Sequence, residues 1–164
     1  MEIYLQRHGI AEGERAGLRD ADRALTEAGI ARLKAILKMA RAAGVAPSLI
    51  LTSPYRRAAQ TAELAAEILG CESELVRSNA LTPMADPRDA WEEIRLHKDS
   101  PRLYLAGHEP LFGRLAAFLL GAPSLQVDFK KGAIARIDVD SFGAQPAGVL
   151  KWMLVAKLAT AVPG

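Results

Sequence analysis

Apolar residues fall into two kinds of pattern along the chain, and each predicts a different element. Short continuous runs at Ile3–Leu5, Leu49–Leu51 and Leu103–Ala106 have strand length and no alternation, as in parallel strands covered on both faces. Helical spacing separates them. Leu25 can staple onto Ile30, Thr26 can cap, and Ile30, Leu33, Leu37 and Ala40 then form one face up to Gly44. Ser53-Pro54 predicts a second helix with serine as cap and proline as its first residue; Ala58, Ala62, Ala65 and Leu69 are its buried stripe and Gly70 its stop. Asp86-Pro87 gives the same start signal for a helix to about Lys98, and Leu111, Leu115, Phe118 and Leu119 predict another from Pro110 to Gly121.

After residue 132 the period changes to two. Ala133, Ala135, Ile137 and Val139 alternate with Ile134, Arg136 and Asp138, while Leu150, Trp152, Leu154 and Ala156 alternate with Lys151, Met153 and Lys157. These read as two antiparallel strands joined by the Gly- and Pro-containing stretch 140–148. The predicted fold is a three-layer α/β/α domain whose mostly parallel sheet ends in an antiparallel pair at its C-terminal end. At 164 residues, about half of them apolar, the chain suits one domain spanning 1–164.

Composition narrows the partners. A net charge of +2 with 24% charged residues gives no global field for nucleic-acid binding. No run is long enough to span a bilayer, and the charged N-terminus is no signal sequence, so a cytoplasmic protein is expected, without membrane or nucleic-acid partners. The lone Cys71 cannot form an internal disulfide and reads as a buried free thiol.

Ligands of open α/β sheets bind beyond the carboxyl ends of the strands. The polar residues expected there are Arg7-His8-Gly9, Thr52-Ser53-Pro54 with Arg56 and Arg57, and Gly107-His108-Glu109-Pro110. Glycines 9 and 107 would let the backbone turn sharply and approach a ligand. Arginine forks and helix N-termini suit phosphate oxygens. From a helix starting at Pro54, Arg57 opens the second turn and reaches back over the helix end, while Arg56 points about 100° away. There is no P-loop and no metal-ligand spacing, so no metal or cofactor is expected. Among nucleophiles, a neutral imidazole is reactive near pH 7, whereas Ser53 would need a base and is assigned to the cap. His97 lies among Glu92, Glu93, Arg95 and Lys98 and reads as a surface residue; Lys130-Lys131-Gly132 reads as a solvated turn, and Trp91 and Trp152 as core or partly buried residues.

The opening Ile-Tyr-Leu-Gln-Arg-His-Gly, Leu25-Thr26-x-x-Gly29, Ser53-Pro54-x-x-Arg57-Ala58-x-Gln60-Thr61 and Gly107-His108-x-Pro110 together resemble the ordered motifs of the histidine phosphatase (phosphoglycerate-mutase-like) superfamily. The short chain is most similar to the SixA-type phosphohistidine phosphatases of bacterial signalling relays. The resemblance runs from about residue 1 to 139. It implies His8 as the phosphoryl-accepting nucleophile, Arg7, Arg57, His108 and Gly9 as the phosphate pocket, and no cofactor. It implies a phosphorylated histidine-containing protein domain as partner; a small phosphorylated metabolite is the alternative substrate, and a non-catalytic phospho-binding module a third reading. Larger superfamily members carry a general-acid glutamate after the third strand, where this chain reads Ala80-Leu81-Thr82-Pro83-Met84. Asp86, Glu12 and Glu109 are the candidate acids in its place.

Overall fold

A computed structural model describes residues 1–159. In chain order it contains β1 (Glu2–Arg7), α1 (Glu27–Ala42), β2 (Leu49–Thr52), α2 (Arg56–Leu69), β3 (Val76–Arg77), α3 (Pro87–Leu96), β4 (Arg102–Gly107), α4 (Leu111–Leu119), β5 (Ile134–Asp138), β6 (Val149–Leu154) and α5 (Ala156–Ala159). Single 3₁₀ turns lie at Asp20–Asp22 and Asn79–Leu81. The strands form one six-stranded sheet in the order β3-β2-β4-β1-β5-β6. β3, β2, β4 and β1 are mutually parallel, β5 is antiparallel to β1, and β6 is antiparallel to β5.

Alternation within the buried strands sends neighbouring side chains to opposite faces. Ile3 and Leu5 of β1 and Leu103 and Leu105 of β4 join Trp91 and Ile94 of α3 and Leu111, Phe112 and Leu115 of α4 in one core cluster. Tyr4 and Tyr104 join Leu33, Ile36 and Leu37 of α1 and Ala62 and Ala65 of α2 in the other. The three-layer α/β/α arrangement expected from the sequence is therefore the observed one. Trp91 is buried, with its Nε1 donating to the Gly143 carbonyl at 2.9 Å, and the half-buried Trp152 lies against Tyr4.

Several local signals act as read. Thr26 caps α1 by accepting the Gly29 N–H at 3.0 Å, Asp86 caps α3 by accepting that of Arg88 at 2.8 Å, and Gly70 ends α2 in the left-handed region. Others differ. α2 begins at Arg56 with Tyr55 as its cap residue, so Ser53-Pro54 lies before the helix rather than opening it. The chain bends at Pro54 and Tyr55 before the helix begins, which leaves the Ser53 hydroxyl for other work. α3 ends at Leu96, and β6 ends at Leu154, with Ala156 opening a short helix. A register shift between Arg136 and Ile137 interrupts the β5–β6 alternation. Cys71, just past the Gly70 turn, is half-exposed rather than buried. Among the described residues no helix is long and apolar enough to cross a membrane.

Strand register carries the fold into the site. Arg7 of β1 pairs with Gly107 of β4, so His8 and His108 leave the sheet side by side; the His8 N–H donates to the Gly107 carbonyl at 2.9 Å. On the other side of β4, Thr52 pairs with Ala106, which brings Ser53 to the same edge.

Candidate active site

The two histidines that the register brings together have ring centroids 5.0 Å apart, and both are almost fully buried. His8 Nδ1 lies 2.7 Å from the Gly9 carbonyl, which can only accept, so Nδ1 carries the ring proton. His8 Nε2 is then a lone pair, and it accepts from Arg57 Nε at 3.2 Å. Burial, reinforced by the positive charges of Arg57, Arg7 and Lys131, pushes the His8 pKa down to about 3 against the opposing Gly9 hydrogen bond. The ring is neutral at physiological pH. His108 is lowered to about 2, again first by burial and then by His8 and Arg57.

Arg57 is buried in the first turn of α2, and the exposed Arg56 faces away as expected. Its guanidinium is oriented from its outer edge: Nη1 donates to the Asp20 carbonyl at 2.6 Å and Nη2 to the Asp20 carboxylate at 3.1 Å. Asp20 in turn accepts from Arg23 Nε at 2.8 Å and Nη2 at 2.6 Å, and Arg23 Nη1 is tied to the Glu12 carbonyl at 2.8 Å. Burial raises the Asp20 pKa, but the hydrogen bonds from Arg23 and Arg57 outweigh it and hold the carboxyl below its ordinary value. Tyr55 completes this wall, edge-on to His108 with centroids 5.1 Å apart and with Arg57 Cζ 5.1 Å from its ring centroid. Sequence reasoning missed Asp20 and Tyr55. Asp20 lies in a polar stretch whose course no periodicity predicts; Tyr55, two residues before Arg57 in an otherwise legible motif, could have been suspected.

Arg7 donates from Nη1 to the Phe129 carbonyl at 2.7 Å. Its Nε, His108 Nδ1 and Glu109 Oε1 are the buried side-chain polar atoms without a partner among the described residues. Unsatisfied buried polar atoms are uncommon and ask for an explanation. All three come from residues that leave the paired ends of β1 and β4, where a bound oxyanion would supply acceptors for two of them.

Glycines 9 and 107 owe their place to packing rather than to a sharp turn, since neither has positive φ. A Cβ on Gly9 would come within 2.7 Å of Leu33 Cδ1, and one on Gly107 within 2.6 Å of Phe112 Cζ. The Gly9 N–H is taken by Thr61 Oγ1 at 3.3 Å, and Thr61 itself donates to the Arg57 carbonyl at 2.8 Å. Gln60 Oε1 accepts the Leu25 N–H at 2.8 Å. A Cβ on Gly29 would stand 2.2 Å from the Ile10 carbonyl, so that glycine lets the segment after His8 press onto α1. The motif residues around the histidines and arginines thus hold their backbones in place.

The candidate acids are spread out. Asp86 caps α3, and the Glu12 carboxylate accepts the Ala24 N–H at 2.9 Å. Glu109 is half-buried, and burial raises its pKa against the pull of the Phe129 and Gly113 amides and of Arg7. It lines a cleft of about 400 Å³ with Asp86, Arg88, Arg114, Phe118 and Leu125. The loop after β3 presents Thr82, whose hydroxyl donates to the Asn79 carbonyl at 2.8 Å. His97 Nε2 lies 3.3 Å from Glu93 Oε1 at the end of α3, and Lys130 pairs with Asp128. Among the described residues no group of three or more His, Cys, Asp or Glu side chains has metal-binding geometry.

Known proteins resemble the chain in both sequence and fold. The sequence is 36% identical over 136 residues to an uncharacterized protein of Picosynechococcus sp., covering 82% of each chain. It is 27% identical over 156 residues to the phosphohistidine phosphatase SixA of Escherichia coli, covering 94% of this chain and 93% of that one. The structure of the protein histidine phosphatase SixA complexed with tungstate superposes with a TM-score of 0.86 at 25% identity, over 96% of this chain and 99% of that one. Residues 3–83 match the family described as the Histidine phosphatase superfamily (branch 1), and with these relatives the chain belongs to that superfamily.

Proposed function

We propose that the chain, acting as one cytoplasmic domain, is a phosphohistidine phosphatase that removes the phosphoryl group from a histidine-containing protein domain of a bacterial phosphorelay, through a covalent intermediate on His8. The observation that carries the reading is the His8 ring: neutral, its Nδ1 proton held by the Gly9 carbonyl, its Nε2 lone pair facing Arg57. In the first step Nε2 attacks phosphorus and the bond from phosphorus to the substrate imidazole nitrogen breaks. Arg57 Nε leaves Nε2 for a phosphoryl oxygen, and Arg7 and His108 supply further donors to the charge that spreads over the equatorial oxygens. In the second step water attacks the phosphorus, the bond to Nε2 breaks, and inorganic phosphate leaves with His8 restored. Arg7 and Arg57 supply the positive charge that the scheme asks for, so it calls for no metal or cofactor.

The leaving group supports protein phosphohistidine as substrate. Expelling an alkoxide calls for a positioned general acid, which contributes about 10²–10⁴-fold. A substrate imidazole, with an ordinary pKa of about 6.5, takes its proton from solvent and departs neutral. The loop of residues 80–84, where larger members carry a glutamate, holds no carboxylate here, which suits the second case. SixA, the relative named as a protein histidine phosphatase, points the same way. The raised, half-buried carboxyl of Glu109 beside its cleft favours a second reading, hydrolysis of small phosphate esters with Glu109 as the acid.

The test is a brief exposure of the protein to a ³²P-labelled phosphorylated histidine-phosphotransfer domain. A label on His8 that is lost in acid, survives alkali and is absent from His8→Ala is expected, with kcat/KM far above that for alkyl phosphates. An acid-stable label would overturn the mechanism, and equal turnover of alkyl phosphates, lost in Glu109→Gln, would establish the second reading.

A further inference from the structure

Ser53 is fully buried at the end of β2, and with α2 starting at Arg56 its hydroxyl does not cap that helix. Two groups surround Ser53 Oγ. The Tyr55 N–H donates to it at 3.3 Å, and His108 Nε2 lies 2.8 Å away. One lone pair of the oxygen therefore already accepts a proton from the backbone, and the hydroxyl's own proton needs an acceptor. His108 Nε2 is the acceptor in reach. The reverse arrangement, with Nε2–H donating to Ser53, would leave two buried atoms unmet, the serine proton and the Nδ1 lone pair, whereas this one leaves only the Nδ1 proton unmet in the unliganded protein. Burial keeps His108 neutral, so its ring has one N–H to place. Once Nε2 accepts from Ser53, that proton sits on Nδ1, the buried ring nitrogen that has no hydrogen-bond partner among the described residues.

We infer that Ser53 is a positioning residue that fixes His108 as its Nδ1–H tautomer and so turns the ring's single proton toward an oxygen of the phosphoryl group in transit to and from His8. This rests on the phosphatase reading above and adds to it a means by which the second histidine acts as a fixed donor. No proton changes hands at His108: it donates one hydrogen bond through both steps and keeps its proton. Without the serine hydroxyl the neutral ring is free to place its proton on Nε2, the tautomer that imidazoles of free histidine prefer, and a lone pair would then face the phosphoryl oxygens. Tyr55 lies edge-on to the same ring, with centroids 5.1 Å apart.

Long-range ¹⁵N–¹H spectra of the full chain without ligand, at pH 7.5, read the tautomer directly. The chain has only three histidines, so His8→Asn and His97→Gln assign the signals by subtraction. The expected spectrum has His108 Nδ1 protonated and Nε2 as the bare nitrogen. In Ser53→Ala the protonated population moves to Nε2, and kcat on a phosphorylated histidine-phosphotransfer domain falls about tenfold, the worth of one hydrogen bond to a charged group. KM changes less than twofold. A wild-type His108 protonated on Nε2 overturns the inference whether or not the variant folds, and so does a folded Ser53→Ala that keeps either the tautomer or the kcat of the wild type. Labelling of His8 is a separate observation: its loss would remove the phosphatase reading while leaving the tautomer as measured.

Discussion

Two neutral histidines packed among cations give the protein an acid sensitivity that its surface charges alone would not. Folded, His8 and His108 titrate at about 3 and about 2, because burial excludes the charged ring and Arg7 and Arg57 repel it. Unfolded, each has an ordinary pKa near 6.5. A histidine whose folded pKa is depressed takes up its proton in the unfolded chain first, so stability is retained above about pH 6.5 and lost as pH falls below it. Both folded values lie far below pH 5.5, so the difference there is set by the unfolded rings. Each group costs about 1.4 kcal/mol at pH 5.5 and almost nothing at pH 7.5, and the pair about 3 kcal/mol between the two. That is a large share of the roughly 5–15 kcal/mol that holds a typical domain folded. Urea unfolding at both pH values measures the loss in the wild type and in the double variant His8→Asn/His108→Asn. Asp20 and Asp138, whose pKa values are lowered, lose their contribution only at more acid pH, and both proteins share them. The wild type is expected to lose about 3 kcal/mol more than the variant over this interval. Equal losses would mean that the two rings are solvated and chargeable, and the neutral nucleophile would go with them.

Arg57→Ala should lower kcat/KM by about 10²–10³-fold, by analogy with the removal of one preorganised oxyanion donor, while Arg56→Ala stays near wild type; the opposite ranking would mean that the wrong arginine has been placed in the pocket. Asp20→Ala should lower kcat/KM about tenfold by freeing the outer edge of Arg57, an effect absent in the Arg57→Ala background. Gly29→Ala should cost about 1–3 kcal/mol and lower the thermal midpoint, because its methyl would enter the Ile10 carbonyl. Dialysis against a chelator should leave the rate on phosphohistidine unchanged, and recovery of a lost rate on adding metal would contradict the proposed mechanism.

The layers, a mostly parallel sheet, the caps at Thr26 and Asp86 and the pairing of β5 with β6, though not the strand order or the two-residue β3, were legible from the chain because hydrophobic period, capping chemistry and glycine stops act within a few residues. The same holds for Arg7, His8, Arg57 and His108, which follow strand ends or open helices where an α/β sheet binds ligands. What they do there was not local. The start of α2 was misread because Ser-Pro is a good helix opening in isolation; in the fold, Ser53 is held at the sheet edge by the Ala106 carbonyl and by His108, and the chain bends at Pro54 and Tyr55 before the helix begins at Arg56. Gly9 and Gly107 read as flexible turns, yet their lack of a side chain serves Leu33 and Phe112, contacts 24 and 5 residues away in sequence. Asp20 joins Arg57 across 37 residues through a loop without periodicity. The sequence by itself determined which elements form and which side chains stand at their ends. Only the tertiary structure decided which nitrogen of His8 is bare and which edge of Arg57 faces it, since tautomer and orientation depend on partners that meet only after the chain has packed.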